Sequence, residues 1–157
     1  MKLYILRHGA AQRVAASDTE RALTEHGVSQ VQAIANYCAT HADGIERIIC
    51  SPYQRARQTA VIFKEVAKLT TDIIENSNIT PDIPVTRAVK SLDEHMTGDL
   101  LMVSHQPLVS SLITYLVWGE TSPRVGMDTA SLACLEVEML QPGMAELDWL
   151  QHANDLP

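Results

Sequence analysis

A short apolar run, Leu3-Tyr4-Ile5-Leu6, ends abruptly on Arg7-His8-Gly9, and this junction constrains the fold more than any other stretch. The run is rich in strand-formers and too brief for a helix. It reads as a strand buried on both faces of an α/β sheet. In open α/β sheets, ligands bind in the crevice beyond the carboxyl ends of the parallel strands. An arginine and a histidine at that point are placed to meet a ligand. Gly9 lets the chain turn there and lets its backbone come close.

The rest of the chain alternates helix and strand signals. Residues 10–22 are a polar, alanine-rich loop. Thr24 then reads as the N-cap of a helix with Val28, Val31, Ile34, Ala35 and Cys38 on one face, stopping near Asp43-Gly44. Residues 47–50 form a second short strand. Ser51-Pro52 reads as a serine cap with proline at the first helical position, opening a helix that runs to about Leu69. Residues 72–75 suggest a further strand and 76–84 an irregular loop. Val85, Val89 and Leu92 mark a short helix. Residues 100–103 are the next buried strand, ending on Ser104-His105-Gln106-Pro107, and Pro107 starts a helix that Gly119 stops.

Residues 132–140 and 146–150 flank a Pro142-Gly143 turn as an antiparallel hairpin at a sheet edge, and 151–157 read as a loose tail. The expected fold is an α/β three-layer sandwich. A mostly parallel central sheet carries helices on both faces, right-handed crossovers and the antiparallel C-terminal edge hairpin.

A chain of 157 residues suits one well-filled core, and a single domain over 1–157 is expected. The net charge of −7 weighs against nucleic acid or an anionic membrane as the main partner. A small basic pocket can still sit in an acidic surface. The longest apolar segment, 108–118, is interrupted by Ser110, Ser111 and Thr114, and falls short of the ~20 residues a membrane span needs. No charged stretch precedes an apolar one at the start, so no signal peptide is expected. Cys38, Cys50 and Cys134 lie in apolar segments and fit buried, reduced thiols. A cytoplasmic protein is the expectation.

If the parallel strands share one rim, four distant residues converge there: Arg7 and His8 after the first strand, Arg55 on the first turn after the second, and His105 after a later one. Two arginines and two histidines without a metal-ligand carboxylate describe an anion site. Phosphate fits, because a phosphoryl group carries roughly −1.5 to −2 charges near neutral pH, and a guanidinium fork matches its oxygens. A helix start nearby adds free N–H groups and a positive dipole end.

A histidine is a nucleophile only when neutral, and its unperturbed pKa is ~6.5. Neighbouring arginines disfavour the imidazolium, and a carbonyl accepting from the other ring nitrogen would fix the tautomer. A cysteine-phosphatase loop from Cys50 to Arg55 is discarded, since four residues intervene instead of five and none is glycine. Arg57 is assigned to a solvent face, and His26, His41, His95 and His152 are given no role.

The same residues carry a family resemblance. Leu6-Arg7-His8-Gly9 resembles the signature of the histidine phosphatase (phosphoglycerate mutase-like) superfamily. Ser51-Pro52-Tyr53-Gln54-Arg55-Ala56-Arg57-Gln58-Thr59-Ala60 resembles its second block, and Val103-Ser104-His105-Gln106-Pro107 its third, in the right order over about 1–116. The short length and an Asp18-x-x-Arg21-x-Leu23-Thr24 segment resemble the SixA-type group of phosphohistidine phosphatases within it.

The resemblance implies that His8 takes the phosphoryl group, Arg7 and Arg55 bind its oxygens, and His105 stabilises the charge in transfer. Water then releases phosphate, with no metal or organic cofactor. Ala10 stands where many members carry an acidic residue or glutamine, so no side-chain role falls there. Arg21 either lines the cleft as a phosphate ligand or lies exposed in its loop.

Glu75, Asp82 and Asp18 are the candidate general acids, with Asp18 better suited to ordering its loop. No stretch is long enough for a substantial lid, and a P–N bond needs little protonation help. The expected substrate is therefore a phosphohistidine on another protein, such as a histidine-phosphotransfer domain. A small-molecule phosphomonoesterase using Glu75 or Asp82 stays open, as does a phosphate-binding module without turnover.

Overall fold

In the computed structural model, which describes residues 1–157, the opening apolar run forms β1 (Lys2–Arg7) at the interior of a six-stranded sheet. The other strands are β2 (Ile45–Cys50), β3 (Ile73–Glu75), β4 (Asp99–Ser104), β5 (Ser131–Val137) and β6 (Ala145–His152). The helices are α1 (Glu25–His41), α2 (Gln54–Val66), α3 (Val85–Asp93) and α4 (Leu108–Trp118). Strand order is β3-β2-β4-β1-β5-β6. β1 and β4 pair in parallel, as do β4 with β2 and β2 with β3. β5 runs antiparallel to β1, and β6 antiparallel to β5 at the edge, which is the expected hairpin.

The unbroken apolar character of β1 follows from burial on both faces. Leu3 and Ile5 pack with Leu92 of α3 and Leu112 of α4, whereas Tyr4 and Leu6 pack with Val31 of α1 and Phe63 of α2. Fully burying such a side chain is worth ~1.5–3 kcal/mol over leaving it exposed, so the strand that delivers Arg7 and His8 is anchored on both sides. From β1 the chain crosses to β2 through α1 on one face. From β4 it crosses to β5 through α4 on the other. A crevice therefore opens beyond the carboxyl ends of β1 and β4.

Local signals set most element ends. Thr24 caps α1, its Oγ1 accepting the Gly27 N–H at 3.0 Å. Gly119 ends α4 in the left-handed region at φ +73°. Two expectations are corrected. The helix after β2 starts at Gln54 with Tyr53 at its N-cap, because the Ser51 hydroxyl is engaged by His105 and the chain bends through Pro52 first. Arg55 keeps its place on the first turn. Residues 151–157 are not loose: Gln151 and His152 complete β6, and Ala153–Asp155 form a 3-10 turn with Ala153 buried. Asn154 Oδ1 accepts from Gln30 Nε2 of α1 at 2.9 Å, which holds this end against the body of the protein. A second 3-10 turn, Ser77–Ile79, interrupts the 76–84 loop and buries Ile79 in the core.

All three cysteines are buried and unpaired. No helix is long and apolar enough to cross a membrane.

Candidate active site

The strand register assembles the site. Arg7 lies opposite Ser104, and Cys50 opposite Val103. One residue further, the His8 N–H donates to Ser104 O and the Ser51 N–H to Val103 O, both at 3.0 Å. Neighbouring strands lie ~4.8 Å apart, so His8, His105 and Ser51 come side by side where the strands end. The rings of His8 and His105 have centroids 5.1 Å apart.

His8 is 7% exposed. Its Nδ1 lies 2.7 Å from Gly9 O, and a carbonyl can only accept, so Nδ1 carries the proton and Nε2 the lone pair. Arg55 Nε donates to that Nε2 at 3.2 Å. Burial is the main cause of a His8 pKa lowered to about 4, and the charges of Arg55, Arg7 and Arg21 add to it against the opposing Gly9 hydrogen bond. The ring is neutral at any ordinary pH.

Arg55 is 4% exposed and spends each of its nitrogens differently. Besides His8, its Nη1 donates to Asp18 O at 2.7 Å and its Nη2 to Asp18 Oδ2 at 3.3 Å. Its guanidinium also lies over the Tyr53 ring, 5.1 Å from the centroid. Thr59 Oγ1 donates to Arg55 O at 2.8 Å and accepts the Gly9 N–H at 3.1 Å, tying α2 to the residue after His8. Arg7 Nη1 donates to Met127 O at 2.7 Å, while its Nε is buried without a partner. A buried, unpaired guanidinium N–H calls for an acceptor.

His105 is buried, with Nε2 2.7 Å from Ser51 Oγ and no partner at Nδ1. Burial, then the charges of His8 and Arg55, lower its pKa to about 2. Tyr53 meets it edge-on at 5.0 Å between centroids.

The structure thus brings together Arg7, His8, Arg55 and His105, and holds Arg21 apart in its loop. Arg21 Nε donates to Gln12 O at 2.6 Å and Nη1 to Asp18 Oδ1 at 3.0 Å, so its effect on His8 is through charge. The hydrogen bond from Arg21, with Arg55 adding, holds the Asp18 carboxyl below the usual carboxylate range. It is an ionised brace between two arginines. Glu75 is half exposed at the end of β3 and paired with Arg57 at 3.4 Å. Asp82 is exposed in a turn. Neither hydrogen-bonds to any of the four clustered residues. No group of three or more His, Cys, Asp and Glu side chains could hold a metal ion.

Several supporting residues escaped the sequence reading. Gln30 Oε1 accepts the Ala10 N–H at 2.9 Å, and its Nε2 donates to Thr129 and Asn154. Its signal was a polar residue four before Ile34, on the apolar face of α1. Gly27 packs so tightly that a Cβ there would meet Ala10 O at 2.0 Å, and one at Gly9 would meet Gly27 O at 2.7 Å. Backbone lies on backbone here, which gives Gly9 its purpose: close approach to α1. Ser51, expected as a helix cap, is instead the partner of His105.

With this geometry in hand, known proteins offer a comparison. A family model described as the histidine phosphatase superfamily (branch 1) matches residues 3–78. The chain is 33% identical over 152 residues to the phosphohistidine phosphatase SixA of Escherichia coli (strain K12), covering 95% of this chain and 92% of that protein. It is 31% identical to a phosphohistidine phosphatase SixA homolog of Haemophilus influenzae, over 78% of this chain and 80% of the relative. Among solved structures, the protein histidine phosphatase SixA complexed with tungstate superposes with a TM-score of 0.88 at 29% identity, over 99% of both chains.

Proposed function

The chain belongs to the histidine phosphatase superfamily, and from that premise we propose that it removes phosphate from a phosphohistidine on another protein, by way of a phosphoenzyme on His8. The observation that carries this reading is the His8 ring itself. Its Nδ1 proton is committed to Gly9 O, and its Nε2 lone pair faces the Arg55 guanidinium.

In the proposed reaction, His8 Nε2 attacks phosphorus as the P–N bond to the substrate imidazole breaks. The substrate ring enters with its other nitrogen already protonated, so that on P–N cleavage it leaves as a neutral imidazole. Arg7 and Arg55 bind the phosphoryl oxygens, and His105 donates to the charge that builds up in transfer. Water then attacks phosphorus, the bond to His8 Nε2 breaks, and the protons of the water depart with the phosphate.

The choice of a P–N substrate is supported by the carboxylates. An alkoxide leaving group needs a well-placed acid, yet Asp18 is ionised between two arginines, and Glu75 and Asp82 are exposed and unconnected to His8. The names of the two relatives point the same way. The partner is a phosphohistidine-bearing protein such as a histidine-phosphotransfer domain. Three unpaired buried thiols suit a reducing compartment, and the reaction is assigned to the cytoplasm. The test compares kcat/KM for a phosphorylated histidine-phosphotransfer protein with that for a panel of phosphate esters. A clear preference for an ester, lost in Glu75→Gln or Asp82→Asn, would overturn the assignment.

A further inference from the structure

We propose that Gln30 is a positioning residue of His8, holding the peptide between Gly9 and Ala10 in the orientation that receives the His8 Nδ1 proton. Both sides of this peptide are in use. Its carbonyl, Gly9 O, accepts from His8 Nδ1 at 2.7 Å, and its N–H, on Ala10, donates to Gln30 Oε1 at 2.9 Å. Gln30 is 5% exposed on α1, and it makes no hydrogen bond to His8 itself.

A peptide unit is planar and, when trans, its carbonyl and N–H point in opposite directions. Turning it moves both groups at once, so whatever holds the N–H also aims the carbonyl. The chain is pinned on either side. The Gly9 N–H donates to Thr59 Oγ1 at 3.1 Å, and Ala10 O accepts the Thr24 N–H at 2.9 Å. Between those pins the peptide can rotate about Gly9 ψ and Ala10 φ while its neighbours stay in place, and glycine opposes such rotation least.

Gln30 supplies the restraint. The Ala10 N–H can only donate, so the amide oxygen of Gln30 must face it. The two Nε2 hydrogens then go to Thr129 Oγ1 at 3.0 Å and Asn154 Oδ1 at 2.9 Å, which fixes the side chain from behind. Without Gln30 the Ala10 N–H is unmet, and Gly9 O is free to turn away from the ring. His8 would then be held by the Arg55 Nε–H alone, with its angle to the incoming phosphorus no longer set.

The inference deepens the proposed function and rests on it for the rate measurement alone. The test is made on the full chain with ¹⁵N labelling. NMR of the wild type should show the His8 Nδ1 proton and the Ala10 amide both protected from exchange with water. In Gln30→Met, of similar length but without an acceptor, both should exchange at least ~5-fold faster, as loss of one hydrogen bond implies. The amides of Tyr4 and Ile5 in β1 should be unchanged. Against a phosphorylated histidine-phosphotransfer protein, kcat should fall by at least ~10-fold with KM nearly unchanged, since a misaligned group can cost up to ~10²-fold. Gln30→Glu keeps an acceptor for Ala10, and should restore protection of the Nδ1 proton and most of the rate.

A folded Gln30→Met protein with an unchanged Nδ1 proton and full kcat would overturn the inference. So would a wild type whose Ala10 amide exchanges freely while the His8 Nδ1 proton stays protected, a result that needs neither a variant nor a substrate. Failure of the substrate assignment would show differently, as a wild type inactive on the phosphoprotein with both protons protected.

Discussion

Arg55 donates from Nε to His8 Nε2 across 3.2 Å, joining the first turn of α2 to the residue that follows β1. The two are 47 positions apart in the chain. The bond aims the guanidinium at the nitrogen where the phosphoryl group is proposed to form its bond. The remaining Arg55 nitrogens are held by Asp18. For His8 Nε2 to bond phosphorus it must release the Arg55 Nε–H, which then lies close enough to pass to a phosphoryl oxygen.

Arg55→Ala is expected to lower kcat by ~10²–10³, the usual cost of losing one preorganised charge-stabilising donor. Arg55→Lys should recover little. A single ammonium cannot serve His8 Nε2, Asp18 O and Asp18 Oδ2 together, or lie flat on Tyr53. Steady-state kinetics on the phosphoprotein decide it, and a near-normal Arg55→Lys enzyme would refute the planar-fork account.

Stability should depend on the two buried histidines. Burial lowers His8 to about 4 and His105 to about 2, whereas both titrate near ~6.5 in the unfolded chain. As pH falls from ~6.5 toward ~4 the unfolded chain binds more protons than the folded one, so stability is lost across that window. Above it the contribution is fully present. Urea denaturation from about pH 7 to pH 5 should show this decline, and His105→Gln should make it shallower. A stability that stays flat over that range would contradict the buried, neutral state of both rings.

Gly27→Ala sets two effects against each other. Alanine in a helix interior is favoured over glycine by ~1 kcal/mol. The added Cβ, however, would sit 2.0 Å from Ala10 O, a backbone atom that can yield only by moving the loop after His8. Overpacking of that kind costs ~1–3 kcal/mol, so a net loss is expected, together with reduced activity. Equilibrium unfolding measures it, and a stabilised Gly27→Ala protein would show that the packing of loop on helix is looser than described.

Much of this was legible in the sequence, for identifiable reasons. The both-face burial of β1 is a property of a handful of consecutive residues, and the placement of Arg7, His8 and His105 follows from where apolar runs stop. What local pattern could not supply was any bond between distant residues. Ser51-Pro52 satisfies the rule for a helix start, but His105, 54 positions away, takes the serine hydroxyl. The C-terminal residues look featureless until Asn154 is seen bonded to Gln30. Asp18 sits in a polar loop that gives no hint of two arginines closing on it from opposite sides.

The central claim is that phosphate passes from a protein histidine to His8 before reaching water. The direct measurement is a rapid-mixing experiment with a ³²P-phosphohistidine protein, quenched in alkaline denaturant because phosphohistidine is stable there, with the label followed over time. The account predicts label appearing on this chain at His8 Nε2 and then decaying into inorganic phosphate. A folded His8→Ala protein should neither take up label nor release phosphate. Phosphate released by that variant at the wild-type rate, or label found on any other residue, would contradict it.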